Sequence, residues 1–97
     1  MNKKLHNKAV DLFFDAVLSL ETRDECYKFF EDVCTINEIL SLSQRFEVAD
    51  MLRKKKTYME ISEETGASTA TISRVNRSFI YGNDGYSIVF ERMDKKE

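Results

Sequence analysis

Apolar side chains recur along this chain every three or four residues rather than every second one, which is the period of helices and not of strands. Leu5, Ala9, Leu12, Phe13, Ala16, Val17 and Leu20 line one face of a first helix, and the pattern stops near Glu21 to Arg23. Cys26, Phe29, Phe30, Val33 and Cys34 fall at i, i+3, i+4, i+7 and i+8, so a second helix from about Asp24 to Cys34 is expected to bury them as one stripe. Asn37 is a candidate cap for a third, longer helix. Its apolar positions Ile39, Leu40, Leu42, Phe46, Ala49, Met51 and Leu52 cover most of one side, and it runs into the basic stretch RKKK at 53–56.

The next segment changes character. Thr57 and Glu60 are spaced as a capping box, in which the threonine hydroxyl accepts from the amide three residues on and the glutamate reaches back. A fresh helix therefore starts at Tyr58. Gly66 can adopt the left-handed conformation that ends it, and Ser68 can cap another helix from Thr69 to about Tyr81. Two helices joined by a tight glycine turn, about residues 57–81, make a helix-turn-helix. Ile61 faces the second helix of the pair, and Ile72, Val75 and Phe79 form that helix's buried stripe. The opposite side carries Ala70, Ser73, Arg74 and Arg77, with Thr69 at its start. Small residues at the amino end let a recognition helix bring its backbone close to base edges in the major groove, where hydroxyls and methyls can read them. Such helix pairs also occur as plain packing units. After a GNDG turn at 82–85, YSIVFERM predicts a last short helix packing through Ile88, Val89 and Met93, and Asp94 to Glu97 read as a frayed, charged end.

Composition supports an all-α chain. Its 97 residues contain no proline and three glycines, and 42% are apolar, which suits one compact domain over 1–97. No apolar run approaches the roughly 18 residues of a membrane span. The amino terminus has no apolar stretch behind its positive charges, so a soluble cytoplasmic protein without a membrane partner is expected. No catalytic pattern assembles. His6 stands alone, Glu63 and Glu64 point apart on a helix, and neither cysteine lies in a metal or redox motif, so packed free thiols, no metal, no cofactor and no enzymatic activity are expected. From Gln44 to Tyr81 there are 7 Lys or Arg against 5 Asp or Glu, within a chain of net charge −2. That balance excludes a polybasic binder and favours specific contacts and a dimer over bulk attraction. The RKKK run itself fits either a phosphate contact or simple complementarity to a helix carboxyl end.

ADMLRKKKTYMEISEETGASTATISRVNRSF, residues 49–79, resembles the helix-turn-helix region of the tryptophan repressor, with GASTATISR matching its turn and recognition helix. The flanking segments CYKFFEDVCTINEILSLSQRFEVADMLR and YGNDGYSIVFERM resemble the YerC/YecD group of Trp-repressor-related proteins, so the likeness covers nearly the whole chain. It implies an all-α fold of about six helices that forms an intertwined homodimer and represses transcription at a palindromic operator in double-stranded DNA. It places DNA contacts at Thr69, Ala70 and Ser73, and at Met59 and Ser62 on the preceding helix. Arg53 matches a basic position of the repressor, and Arg74 matches an arginine lying between corepressor and DNA backbone. With Ser68 at the cap and Arg77 from the helical wheel, these are the candidate DNA-binding residues. A runner-up is a helical protein-interaction module that keeps the same face for a protein partner.

Two departures bear on the corepressor. Val75 stands where the repressor has a glycine beside the indole, and Gln44 stands where it has a second ligand-facing arginine. Arg45 is displaced by one residue, a rotation of about 100° on a helix. A β-branched side chain fills the ring's space, and a charge-assisted partner for the ligand carboxylate is lost. Free tryptophan is therefore not expected to be the corepressor, and another small effector, or none, stays open. Titration calorimetry with free tryptophan should show no saturable heat at micromolar concentration.

Overall fold

A computed structural model describes residues 2–96. Among them there are six α-helices and no strand: α1 (Lys8–Leu18), α2 (Arg23–Val33), α3 (Ile36–Arg53), α4 (Tyr58–Thr65), α5 (Thr69–Tyr81) and α6 (Gly85–Lys95). A 3₁₀ turn, Lys3–Leu5, precedes them and separates Leu5 from the first helix. No helix among the described residues is long and apolar enough to cross a membrane.

Side-chain caps explain where most of these helices begin. The Asn7 side chain accepts from the Val10 amide at 2.9 Å, and Thr22 Oγ1 from the Glu25 amide at 3.1 Å. Thr35 caps α3, in place of the expected Asn37: its hydroxyl accepts from the Glu38 amide at 3.1 Å while its own amide donates to Glu38 Oε1 at 2.8 Å. TINE is thus a second capping box with the spacing of TYME. Those bonds from Thr35 hold the Glu38 carboxyl below the usual carboxylate range.

The chain divides into two compact units, Met1–Ile39 and Leu40–Glu97. In the first, Phe13 lies 5.9 Å from Phe29 and 6.4 Å from Phe30, centroid to centroid, and the last two meet edge to face at 5.4 Å. Despite this aromatic cluster, no residue from Asn2 to Ile39 is buried. Leu12, Phe14 and Leu18 on α1 and Tyr27 and Val33 on α2 are all exposed. The expected buried stripe is therefore corrected. Phe29, Phe30 and Cys34 are half-buried, while Cys26 is exposed, and both cysteines are free thiols. A stripe of correct helical spacing needs an opposing surface, and this unit alone supplies too little.

The second unit holds the core. Val48, Ala49, Met51, Ile61, Ala67, Ile72, Val75 and Phe90 are buried together, with Phe46, Leu52, Tyr58, Phe79 and Tyr86 packed around them. Only the carboxyl half of α3 joins it, since Leu40 and Leu42 are exposed. In α6 the buried side is also other than expected. Phe90 is the buried residue and Tyr86 its half-buried neighbour one turn back, whereas Ile88, Val89 and Met93 are exposed. Aromatic contacts decided the face, with Phe90 5.0 Å from Phe46 and 6.2 Å from Phe79. The helix continues to Lys95, so Asp94 and Lys95 are not frayed, and Glu97 lies outside the described residues.

Two glycines mark the turns around α5 for different reasons. Gly66 has φ +74°, the left-handed region, with open space where a Cβ would sit. Gly82 has an ordinary φ of −82°, but a Cβ there would run into the backbone carbonyl of Ser78. Gly66→Ala should therefore cost about 1–2 kcal/mol from backbone strain alone. Gly82→Ala should cost more, because the last turn of α5 must open. Urea denaturation of the two variants checks that order, and Ile72→Ala, a fully buried site, should lose about 2–5 kcal/mol.

Candidate nucleic-acid interface

The α4–α5 unit is built almost entirely from local signals. Thr57 Oγ1 accepts from the Glu60 amide at 3.2 Å and the Thr57 amide donates to Glu60 Oε1 at 3.4 Å, completing the capping box. Gly66 ends α4, its amide donating to the Ser62 carbonyl at 2.9 Å. Ser68 then caps α5 by accepting from the Thr71 amide at 3.1 Å.

Side-chain hydrogen bonds brace the connecting turn. Thr65 Oγ1 donates to the Ile61 carbonyl at 2.7 Å and accepts from the Ala67 amide at 3.1 Å. Ser62 Oγ donates to the Ala67 carbonyl at 3.0 Å, and Gln44 Nε2, on α3, donates to the Thr65 carbonyl at 3.1 Å. Ile61, Ala67, Ile72 and Val75 close the apolar side beneath. A turn bonded by these side chains and buried on its apolar side holds the two helices together.

The outward side of α5 is correspondingly free. Thr69, Ala70, Ser73, Arg74 and Arg77 are exposed along it, and Met59 is exposed on α4. Neither Arg74 nor Arg77 joins an ion pair among the described residues. The structure thus gathers five of the nine candidate residues on one exposed helix face, with Met59 on the helix before it. Ser62 and Ser68 have their hydroxyls engaged in the turn and the cap. Arg53 is engaged too: Nε donates to Asp50 Oδ1 at 2.7 Å and Nη1 to Asp94 Oδ2 at 2.8 Å. Those hydrogen bonds, to Asp50 first and Asp94 next, hold its guanidinium protonated beyond the usual arginine range.

Sequence reasoning missed two features here. Gln44 was visible only as a departure from an arginine, and its bond to the turn joins residues 21 apart, for which no local signal exists. Lys55 adopts φ +65°, the left-handed region, in the corner between α3 and α4. The chain turns there without a glycine, and RKKK as a composition does not show it.

The six helices of the described residues, with the fourth and fifth joined by a glycine turn beneath an exposed basic and hydroxylated face, have the form of a helix-turn-helix protein, and the family match makes this a helix-turn-helix DNA-binding regulator. The Trp repressor protein family matches residues 8–94, and the chain belongs to that family, a regulatory and not an enzymatic one. It is 56% identical over 94 residues to the uncharacterized protein YerC of Bacillus subtilis (strain 168), covering 97% of this chain and 90% of that protein. Among solved structures, a TrpR-like protein from Eubacterium eligens ATCC 27750 superposes with a TM-score of 0.94 at 70% identity, over 96% of each chain. A Staphylococcus aureus protein described as a candidate Trp repressor superposes with a TM-score of 0.92 at 56% identity, over 95% of this chain and 92% of that one.

Beside the interface, the Asp50 carboxyl carries opposing influences. Burial pushes its pKa up, but the hydrogen bonds and charges of Arg53 and Lys54 outweigh this and hold it below the usual aspartate range. A carboxyl more acidic in the folded than in the unfolded chain contributes stability that is complete above the unfolded value of about 3.9 and is lost as pH falls through the folded one. Denaturation in urea at a series of pH values below about 4 should therefore show a steeper loss of stability for the wild type than for Asp50→Asn.

Proposed function

We propose that the protein is a sequence-specific transcriptional regulator that reads operator DNA as a homodimer, with α5 lying in the major groove. The observation that carries this is the exposed α5 face over a turn saturated from below. Thr69, Ala70 and Ser73 present two hydroxyls and two methyls at the amino end, where base edges are reached, and Arg74 and Arg77 follow as phosphate or guanine contacts. Met59 adds a contact from α4. Regulation would be repression by occupancy, the dimer obstructing access to the DNA it covers.

The homodimer is supported by the first unit, which holds two full helices and no buried side chain between Asn2 and Ile39. Leu18 is 81% exposed and Ile36 76%, and a second copy exchanging helices with the first would bury such a surplus. On this reading the two units form one domain, 1–97, whose core is completed by the partner. Twofold symmetry then predicts half-sites about one helical turn of DNA apart, and a palindromic operator.

Free tryptophan is not the effector in this reading. Val75 is 2% exposed and packed in the core, and the Gln44 amide is engaged by the Thr65 carbonyl. Arg45 is exposed, with Nη2 3.5 Å from Ser41 Oγ on its own helix.

Selection of retained duplexes from a random pool, with no small molecule added, should enrich a palindrome. Arg77→Ala should then lower the slope of log affinity against log salt concentration by about one, as expected for one lost phosphate contact. A protein with no affinity for any duplex would instead be using the α5 face for a protein partner.

A further inference from the structure

The run RKKK suggests a single cationic grip, but the structure divides it. Lys54 Nζ lies 3.1 Å from Asp50 Oδ2 and Lys56 Nζ 3.9 Å from Glu60 Oε2. Arg53 is held on three sides. Two of its donors meet Asp50 and Asp94, and its Cζ stands 4.2 Å from the centroid of the Phe90 ring, which receives the cation on its face. The side chain is 25% exposed. Arg53 and Lys54 against Asp50 and Asp94 sum to zero charge, so a phosphate approaching Arg53 meets two carboxylates already seated on the guanidinium.

What Arg53 holds is α6. Phe90 is that helix's one buried side chain among the described residues, and Asp94 lies one turn further along the same face. One guanidinium thus touches both the ring and the carboxylate one turn beyond it. The ring in turn lies 6.2 Å from Phe79 of α5, and Tyr86 stacks on Phe79 at 6.1 Å. Leu52, Arg53 and Lys55 also face Asn76, Phe79 and Ile80 of α5 across a cleft of about 300 Å³. Arg53 therefore reaches α5 through the Phe90 ring and faces it across that cleft, away from the side that carries Thr69, Ser73 and Arg77.

Resting on the DNA-binding reading above, we propose that Arg53 is a positioning residue for the recognition helix, an internal strut that seats α6 behind α5, and not a phosphate contact. Its aspartate partners share the role. The two possibilities differ in sign at Asp94. Removing a surface carboxylate strengthens binding to a polyanion if Arg53 is a phosphate grip that Asp94 merely competes for, and weakens it if the Arg53–Asp94 bond holds the reading helix in place.

The test compares wild type, Arg53→Ala, Arg53→Lys, Asp94→Asn and Arg77→Ala. Affinity is measured over a range of salt concentrations for the duplex recovered by selection, or for a mixed-sequence duplex if none is enriched. Amide hydrogen exchange of α5 and α6 is measured on the same proteins without DNA. The strut requires Arg53→Ala and Asp94→Asn each to weaken binding roughly tenfold with an unchanged salt slope and to speed exchange in α5 and α6, whereas Arg77→Ala lowers the slope and leaves exchange alone. Arg53→Lys, which keeps the charge and loses the two-edged geometry, should behave like Arg53→Ala. A salt slope that drops by about one in Arg53→Ala, with affinity unchanged or tightened in Asp94→Asn, overturns the strut and makes Arg53 a phosphate contact. If the wild type binds no duplex, the DNA-binding reading itself fails. The exchange data then decide alone, and unchanged protection of α5 in both Arg53→Ala and Asp94→Asn overturns the strut. Asp94 is 54% exposed, so Asp94→Asn remains informative where Arg53→Ala fails to fold.

Discussion

The left-handed turn at Gly66 is the constraint on which the working surface depends. It joins α4 to α5 through three residues, and Thr65, Ser62 and Gln44 each supply a hydrogen bond to the backbone in and beside it. With that angle set, Ile61 and Ile72 share one buried cluster, and every residue of α5 has a determined side. The exposure of Thr69, Ala70, Ser73, Arg74 and Arg77 is a consequence of this packing. A looser turn would leave the same residues on a helix of no particular direction, and reading a groove requires direction.

The two halves of the chain are stabilised unequally. The carboxyl-terminal unit has eight buried residues and a connected aromatic set of Phe46, Phe79, Tyr86 and Phe90. The amino-terminal unit has well-capped helices and stacked phenylalanines but buries nothing. Caps and aromatic pairs are each worth about a kcal/mol, too little to order helices of 11 residues that lack an apolar face to dock on. The unit is a helix pair whose apolar stripes lack a covering surface within their own unit.

Arg53, Lys54 and Lys56 all have carboxylate partners within the chain, while Arg74 and Arg77 have none among the described residues. Two cations outside any ion pair among the described residues, Arg74 and Arg77, thus lie on the outward face of α5, whereas Arg53 is bound between α3 and α6. In a chain of net charge −2, those two arginines place local attraction for phosphate on that face.

The sequence by itself determined the helical class, the bounds of α5 at Thr69 and Tyr81, the start of α4 at Tyr58 and its end at Gly66, and the buried stripe of Ile72 and Val75. All of these rest on groups within four residues of one another: a capping box, a left-handed glycine, a serine cap and a 3.6-residue period. The same local rule also held at Thr35–Glu38, where Asn37 was the less suitable cap. Only tertiary structure decided which face of α6 is buried, since Phe90 outcompetes Ile88 and Val89 by meeting Phe46 of α3 and Phe79 of α5. It also decided that Asp94 belongs to an ion pair with Arg53, that Gln44 braces a turn 21 residues away, and that the stripe from Cys26 to Cys34 stays uncovered in one chain. Periodicity reports that a face is apolar, whereas what covers it depends on contacts between elements far apart in sequence or in different chains, and these leave no mark on local spacing.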